Sequence, residues 1–237
     1  PILYVKGNKR ILLEESIAIV GSRDASDISL KFTDNMAKTA SEEYKVVVSG
    51  FAKGVDKQAL DSALKYKGHS IIVLPQGIMT FESGIKKYYT QIIEGDVLVL
   101  STFFPRAPWS VHLAMGRNPY IYGLAKNIFV AESGPDGGTW SGVIDGIRKG
   151  RIIYVRNPEP EESNANLKLI DKGAIPVDFD GKEIEMVRAT VSEPDTEYST
   201  GSSEKKTSRD NAKKARKRKG KKRTEPDPGS TPELPFS

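Results

Sequence analysis

The chain has 237 residues and a mass of 26.1 kDa, with 38% hydrophobic residues and 36 Lys+Arg against 31 Asp+Glu. Domains hold roughly 100–200 residues, so the length fits one sizeable domain with an appendage, or two small ones. The absence of cysteine excludes a disulfide framework, a thiolate metal centre and a cysteine nucleophile. His69 and His112 are too few for an imidazole-built site, so neither a metal nor another cofactor is expected. No apolar run approaches the roughly 18 residues that span a bilayer, and the start lacks the basic and long apolar stretches of a leader; a soluble, cytoplasmic chain with no membrane partner is expected.

Residues 1–13, with ILYV and KRILL around a KGN turn, read as a leading hairpin or edge element that packs beside the first core strand. IAIVG (17–21) is a β-branched apolar run ending in glycine, and residues 27–44 carry Ile28, Phe32, Met36, Ala37 and Ala40 at helical spacing. VVVSG (46–50) leads into a helix over 55–66, HSIIVLP (69–75) into a looser stretch through 86–93, and DVLVLS (96–101) into a helix over 109–124. NIFVAES (127–133) precedes a helix over about 140–149, and RIIYV (151–155) precedes one over 164–172. Strands apolar throughout, rather than alternating, belong to a parallel sheet covered on both faces. Their succession with helices predicts an α/β fold, an extended Rossmann-like doubly wound, mostly parallel sheet with helices on both faces.

The charge is unevenly placed. Residues 205–223 hold 12 of the basic side chains and only Asp210 as an acid, and beyond about Val191 hydrophobic period is lost. Such a block repels itself and buries nothing, so a domain over 1–180 and a linker with a disordered basic tail over 181–237 are expected. Lys213, Lys214, Arg216, Lys217, Arg218, Lys219, Lys221, Lys222 and Arg223 are the expected tail contacts to nucleic acid, because cations released against phosphates give salt-sensitive, sequence-independent attachment. A solubilising extension is the plainer reading of the same run.

Ligands of doubly wound sheets sit at the C-terminal strand ends. There the sequence places Gly21-Ser22-Arg23, Ser49-Gly50-Phe51-Ala52-Lys53-Gly54, Gly77, and a stretch from Gly134 through Gly138 to Thr139. Glycine lets backbone approach an anion, helix N–H groups point at it, and hydroxyl and cationic side chains complete the shell. Glycines also follow strands simply because chains turn, but several converging loops favour an anion site. Neither G-x-G-x-x-G nor G-x-x-x-x-G-K-[ST] follows the first strand, so a standard dinucleotide or P-loop site is unsupported. Asp56, just inside the second helix, reads as a charge favourable to the helix dipole.

In order, LYVKGN, IAIVGSR, VVVSGFAKGVDKQAL, GRNPYIYGLAKNIFVAES, GGTWSGVIDGIRKGR and ANLKLIDKGAIPV resemble the DNA-processing protein A family, also called DprA or Smf, over roughly three quarters of the chain. The resemblance implies a Rossmann-type domain that binds single-stranded DNA, forms a homodimer and assists a RecA-type recombinase. It implies a phosphate contact at Arg23, a phosphate loop through Ser49, Gly50 and Gly54, and the first two residues of an RNR motif at Arg117 and Asn118. The departures are Pro119 in place of the second arginine, where the family pattern starts a helix, Leu60 for a histidine, and Leu113-Ala114 for an aromatic. The family's flanking helical and winged-helix domains have no counterpart here, which reads as a divergent or minimal member. Trp109, Phe103 or Phe104 could supply the missing stacking face, worth about 1–3 kcal/mol per base, although Trp109 could equally be core. Arg106 is expected at the pocket rim.

The expected function is therefore sequence-independent single-stranded DNA binding, as a recombination mediator in DNA processing or uptake, with no bond made or broken. One alternative is a nucleotide-binding sensor of the same superfamily, in phage defence for example. Another is a phosphoribohydrolase, whose glycine-rich loop ends in a glutamate; Gly142 or Val143 stands there, with Asp145 beyond, so the acid–base agent is missing.

Overall fold

A computed structural model of the chain describes residues 2–185. Eight strands form one sheet: β1 (Tyr4–Gly7), β2 (Ser16–Val20), β3 (Val46–Ser49), β4 (Ser70–Val73), β5 (Val97–Ser101), β6 (Asn127–Val130), β7 (Ile152–Arg156) and β8 (Ile175–Val177). The helices are α1 (Asp27–Glu42), α2 (Val55–Lys65), α3 (Glu82–Lys87), α4 (Tyr89–Glu94), α5 (Val111–Leu124), α6 (Gly137–Arg148) and α7 (Asn166–Asp171). Across the sheet the order is β1-β5-β4-β3-β2-β6-β7-β8, and every pairing except β1 with β5 is parallel. The chain winds outward from β2 to β5, returns through α5 and resumes on the other side of β2 with β6. The topological switch point thus lies between β2 and β6, where the two strand ends diverge.

Residues 16–20, 46–49, 70–73 and 97–101 are buried at every position, which is why these strands read as unbroken apolar runs. On one face Ile17, Ile19 and Val47 pack against Phe32, Met36 and Ala37 of α1 and Ala59 of α2. On the other Ala18, Val20 and Val48 meet Ile121 and Tyr122 of α5, Val143 of α6 and Leu169 of α7. A third cluster, around Leu60, Ile72 and Val99, takes in Phe81, Tyr88 and Ile92 from the stretch through α3 and α4.

The structure departs from sequence expectation at three places. Tyr4–Gly7 does not lie beside the first core strand but pairs antiparallel with β5 at the sheet edge, Tyr4 opposite Ser101, since both flanks of β2 are taken by β3 and β6. KRILL is not a second hairpin strand: Lys9–Leu13 forms a 3-10 turn capped by Asn8, and Ile11 plugs the core completely buried. The sheet gains β8, paired with β7 through Tyr154 and Ile175. The helix expected over 109–124 forms as α5, which starts at Val111 behind the Ser110 cap and carries Pro119 inside it, where the family pattern would start a helix. The expected basic tail lies outside the described residues.

Candidate nucleic-acid interface

The loops after β2 and β6 are tied to each other at the switch point. Ser22 N–H donates to the Glu132 carbonyl at 2.9 Å, and the Thr139 hydroxyl donates to the Gly21 carbonyl at 2.9 Å. The loop after β3 joins them through Gly54, whose φ of +80° suits only glycine and where a Cβ would overlap the carbonyls of Ser22 and Arg23. Val55 N–H, at the start of α2, donates to the Ser22 carbonyl at 3.2 Å. The α6 helix begins at Gly137, earlier than its hydrophobic period suggests, and its N-cap Asp136 makes no side-chain cap bond. Gly137, Gly138 and Thr139 thus form the open first turn of a helix, with N–H groups and the positive end of the dipole free for an anion.

Around these termini lies a cleft of about 390 Å³ lined by Gly21, Ser22, Arg23, Arg117, Asn118 and the α6 first turn, among others. Arg23 is exposed at its mouth, with its guanidinium 5.8 Å from the centroid of the Trp109 ring. Trp109 is 49% exposed and so presents a face to solvent rather than filling the core. Lys53, also exposed, pairs with Asp24 at 3.0 Å, an ion pair in water that contributes little rigidity. Asn118 donates to the Gly138 carbonyl at 3.2 Å and so braces α6 against α5.

The floor of the cleft carries charge the sequence does not advertise. Arg117 is 5% exposed and Asp56 6%, with Nη2 and Oδ2 3.7 Å apart. Arg117 also donates through Nη1 to the Val73 carbonyl at 3.2 Å and through Nε to the Ala114 carbonyl at 3.4 Å. Its guanidinium occupies the space a Cβ at Gly50 would need. Burial pushes the Asp56 carboxyl above the usual carboxylate range, opposed by the Arg117 charge and by the amides of Ala52 and Gly21 that face it. Burial likewise lowers the Arg117 pKa against the pull of Asp56, and it raises that of the neighbouring Tyr122 phenol. Asp56 thus sits in the first turn of α2, where the sequence places it, and is buried there as the counter-ion of Arg117.

A second buried cluster supports the β6 loop. Arg156, 2% exposed, reaches Glu162 at 2.7 and 2.5 Å, the Ala131 carbonyl at 3.1 Å and the Ser29 hydroxyl at 2.9 Å. Ser29 and Ser26 donate to Glu132 at 2.8 and 2.6 Å, and Asn166 accepts from Ser133 N–H at 3.0 Å. The network fixes the stretch from Ala131 to Ser133 just before the α6 turn. Sequence reading missed it; an arginine closing the apolar run IIYV was the available signal.

The structure brings Gly21, Ser22, Arg23, Arg117, Asn118, Gly138 and Thr139 to the cleft, and gathers Gly50, Phe51, Lys53 and Trp109 with Arg23 on its neighbouring side. Several expected side-chain contacts are otherwise engaged. Ser49 is fully buried and donates to the Ile19 carbonyl at 2.6 Å, so its hydroxyl faces inward. Phe51, at φ +61°, packs its ring edge-on against Phe81 and Tyr88, with centroids 4.9 and 5.7 Å away, leaving its backbone to the loop. Arg106 is exposed and lines neither hollow. Asp145 pairs with Lys149 at 2.7 Å and lies outside the main cleft, so it does not replace the missing acid of a phosphoribohydrolase. Lys213 to Arg223 lie outside the described residues. Among the described residues, no group of three or more His, Asp or Glu is placed to hold a metal, and no helix is long and apolar enough to cross a membrane.

Fold and site together define a Rossmann-type α/β domain with a cleft at its switch point, lined by loop ends and the first turn of α6. A family model, DNA recombination-mediator protein A, matches residues 1–188, and the chain belongs to that family. It is 32% identical over 154 residues to DNA processing protein DprA of Streptococcus pneumoniae, covering 65% of this chain and 54% of that one. To protein Smf of Escherichia coli it is 28% identical over 179 residues, covering 73% and 47%. The chain spans about half the length of the curated relatives it matches. Among solved structures it is similar to DprA of S. pneumoniae, with a TM-score of 0.67 and 30% identity over 74% of this chain and 62% of that one. The fold is shared with DNA processing protein A of Helicobacter pylori, solved for its single-stranded DNA binding mode, with a TM-score of 0.65 and 23% identity over 73% and 80%.

Proposed function

We propose that the chain binds single-stranded DNA without sequence preference at the C-terminal edge of the sheet, in the manner of a recombination mediator acting in DNA processing. The observation that carries the reading is the convergence, on one cleft, of the Gly21–Arg23 loop and the uncapped first turn of α6, with exposed Trp109 beside Arg23 on the neighbouring side. Backbone N–H groups and an arginine fork hold phosphate oxygens wherever they recur along a strand and read no base. An exposed aromatic beside them takes a base that is free of a partner, which favours a single strand over a duplex. The buried Arg117–Asp56 pair sets the floor, so Arg23 is the exposed cation among the described residues that line this cleft. Membership of the family supports a RecA-type recombinase and a second copy of this chain as partners.

A nucleotide sensor is the second reading, because about 390 Å³ lies within the range of small-ligand sites, roughly 300–1,000 Å³. Anisotropy of a labelled oligo-dT with the full chain separates the two, using a matched duplex and free nucleotides as competitors. Salt near 0.2 M, where tail attachment by counterion release is weakened, keeps the cleft in view. Arg23→Ala should weaken oligo-dT binding at least about tenfold, since a hydrogen bond to a charged group contributes about 1.5–3 kcal/mol. Unchanged affinity in that variant rejects the cleft as the DNA site, and tight capture of one nucleotide with indifference to DNA selects the sensor.

A further inference from the structure

The α5 helix brings to the cleft one polar group that neither the fold nor the phosphate contacts use. Tyr122 is 5% exposed, and its ring lies in a groove that two glycines cut into α6. A Cβ at Gly146 would stand 3.1 Å from the ring carbon Cδ1, and one at Gly142 would stand 3.0 Å from the phenol oxygen. The ring axis therefore runs along α6 from Gly146 past Gly142, toward the open first turn at Gly137–Thr139. Among the described residues the hydroxyl has no hydrogen-bond partner, and only burial and nearby charges act on it. Phenylalanine would fill the groove as well without stranding a buried hydroxyl, which is unfavourable when unpaired.

A complement to this hydroxyl stands four residues earlier on α5, where side chains share a face. Asn118 lines the same cleft, and its Nδ2 donates to the Gly138 carbonyl at 3.2 Å. That bond fixes which way the amide faces and leaves Oδ1 as an acceptor without a donor among the described residues. Burial raises the Tyr122 phenol above its ordinary range, so it stays a neutral donor. A donor beside an acceptor fits a ligand hydroxyl, which uses both, whereas a phosphodiester offers acceptors only and a deoxyribose C2′ offers neither. The position agrees. Gly138 and Gly142 are about 6 Å apart along the helix, so the pair stands one sugar's reach below N–H groups that would seat a phosphate. Met115 adds an apolar wall, and a side hollow of about 190 Å³ between α5 and α6 shares Met115, Asn118 and Tyr122 with the main cleft.

We infer that Tyr122 Oη and Asn118 Oδ1 form a subsite for the 2′-hydroxyl of a ribonucleotide, so that the cleft takes a ribonucleotide in preference to its deoxy counterpart. This rests on the reading of the α6 turn as a phosphate seat and names the sugar that follows the phosphate. The ribonucleotide is a unit of single-stranded RNA or a free ribonucleoside phosphate, two sources of the same chemistry. A site that hydrogen-bonds a hydroxyl discriminates against the analogue lacking it, because its own polar groups are then left unpaired.

The test is competition against labelled oligo-dT, with the full chain, by two matched pairs: oligo-U with oligo-dU of equal length, and uridine 5′-monophosphate with its 2′-deoxy form. Within each pair base and charge are the same, so attraction to the basic tail cancels. The ribo member is expected to compete about three- to tenfold better, what one net hydrogen bond contributes. A gain confined to the oligomers assigns the subsite to RNA, and one confined to the monophosphates assigns it to a free ribonucleotide. Tyr122→Phe keeps the ring in its groove, so the urea midpoint should hold while the ribo-to-deoxy ratio falls to one. Equal competition within both pairs overturns the subsite, as does a ratio that persists in Tyr122→Phe. In either case oligo-dT that still binds better than a duplex leaves the DNA reading standing. If oligo-dT binds no better than duplex, the DNA reading falls, and the monophosphate pair, measured by direct titration, still decides the subsite.

Discussion

The tightest packing in the site is Gly50 under the Arg117 guanidinium, and it sets up a double-mutant cycle. Gly50 does not have a positive φ, so its backbone accepts alanine; the obstacle is the guanidinium that occupies the Cβ position. Gly50→Ala must therefore push Arg117 off Asp56 and off the Val73 carbonyl. Breaking a buried ion pair by displacing one partner costs about 3–5 kcal/mol, because the other charge stays buried. Arg117→Ala should cost a similar amount for the same reason. With the guanidinium already gone, Gly50→Ala has nothing to displace, so the double variant should be no less stable than Arg117→Ala alone. The expected coupling is then about 3 kcal/mol, roughly a 150-fold change in the folding equilibrium at about 1.4 kcal/mol per tenfold. Urea unfolding resolves it, since a slope near 1–3 kcal/mol per molar turns that energy into a midpoint difference of about 1–3 M. Additivity within about 0.5 kcal/mol, the behaviour of independent sites, would refute the geometry.

Other outcomes follow from the same contacts. Gly54→Ala, at φ +80° and against the Ser22 and Arg23 carbonyls, should destabilise by more than about 1 kcal/mol. It should also weaken oligo-dT binding by displacing the loop that carries Arg23; wild-type stability and affinity together would contradict this. The Arg156 guanidinium holds the Glu162 carboxyl below the usual glutamate range. A carboxylate with a depressed folded pKa contributes its full stability above the unfolded value, about 4.3, and loses it as pH falls through the folded value. Glu162→Gln should therefore lower stability at pH 7 and flatten the decline on acidification; an unaltered pH profile in urea unfolding would dismiss the pair as a stabiliser. Asn118→Ala should cost about 1 kcal/mol for the lost bond to Gly138, and it should weaken oligo-dT binding through a looser α6 turn.

The parallel core was legible because burial on both faces demands apolar residues at consecutive positions, and the sequence supplies them from β2 to β5. The place of Tyr4–Gly7 was not legible, because which open edge a strand takes depends on the whole sheet and not on its own side chains. The tripeptide Ile175–Val177, with Pro176 at its centre, is too short to declare a strand. The glycine loops announced the cleft, and α6 begins where they end. Arg117 entered only through the resemblance, as the first residue of an RNR motif, and that reading was silent on its burial, although Ala114, Arg117 and Ile121 fall on one helix face. A lone arginine on an apolar stripe is a signal for a buried counter-ion, and Asp56 answers it from another helix. Glu162 sits in a loop of carboxylates, EPEES, where nothing local marks it as the partner of Arg156.

The antiparallel seam between β1 and β5 gives the fold an order of assembly. Tyr4 meets Ser101 only after most of the sheet-forming chain has been made, so the seam closes a long loop and should form late. Until it does, β5 offers an unpaired edge to any other extended chain. When it opens in the native state, that edge returns without disturbing the parallel core. Amide exchange at residues 4–7 and 97–101 should therefore be faster than at residues 46–49, and association of partly unfolded molecules should begin along β5.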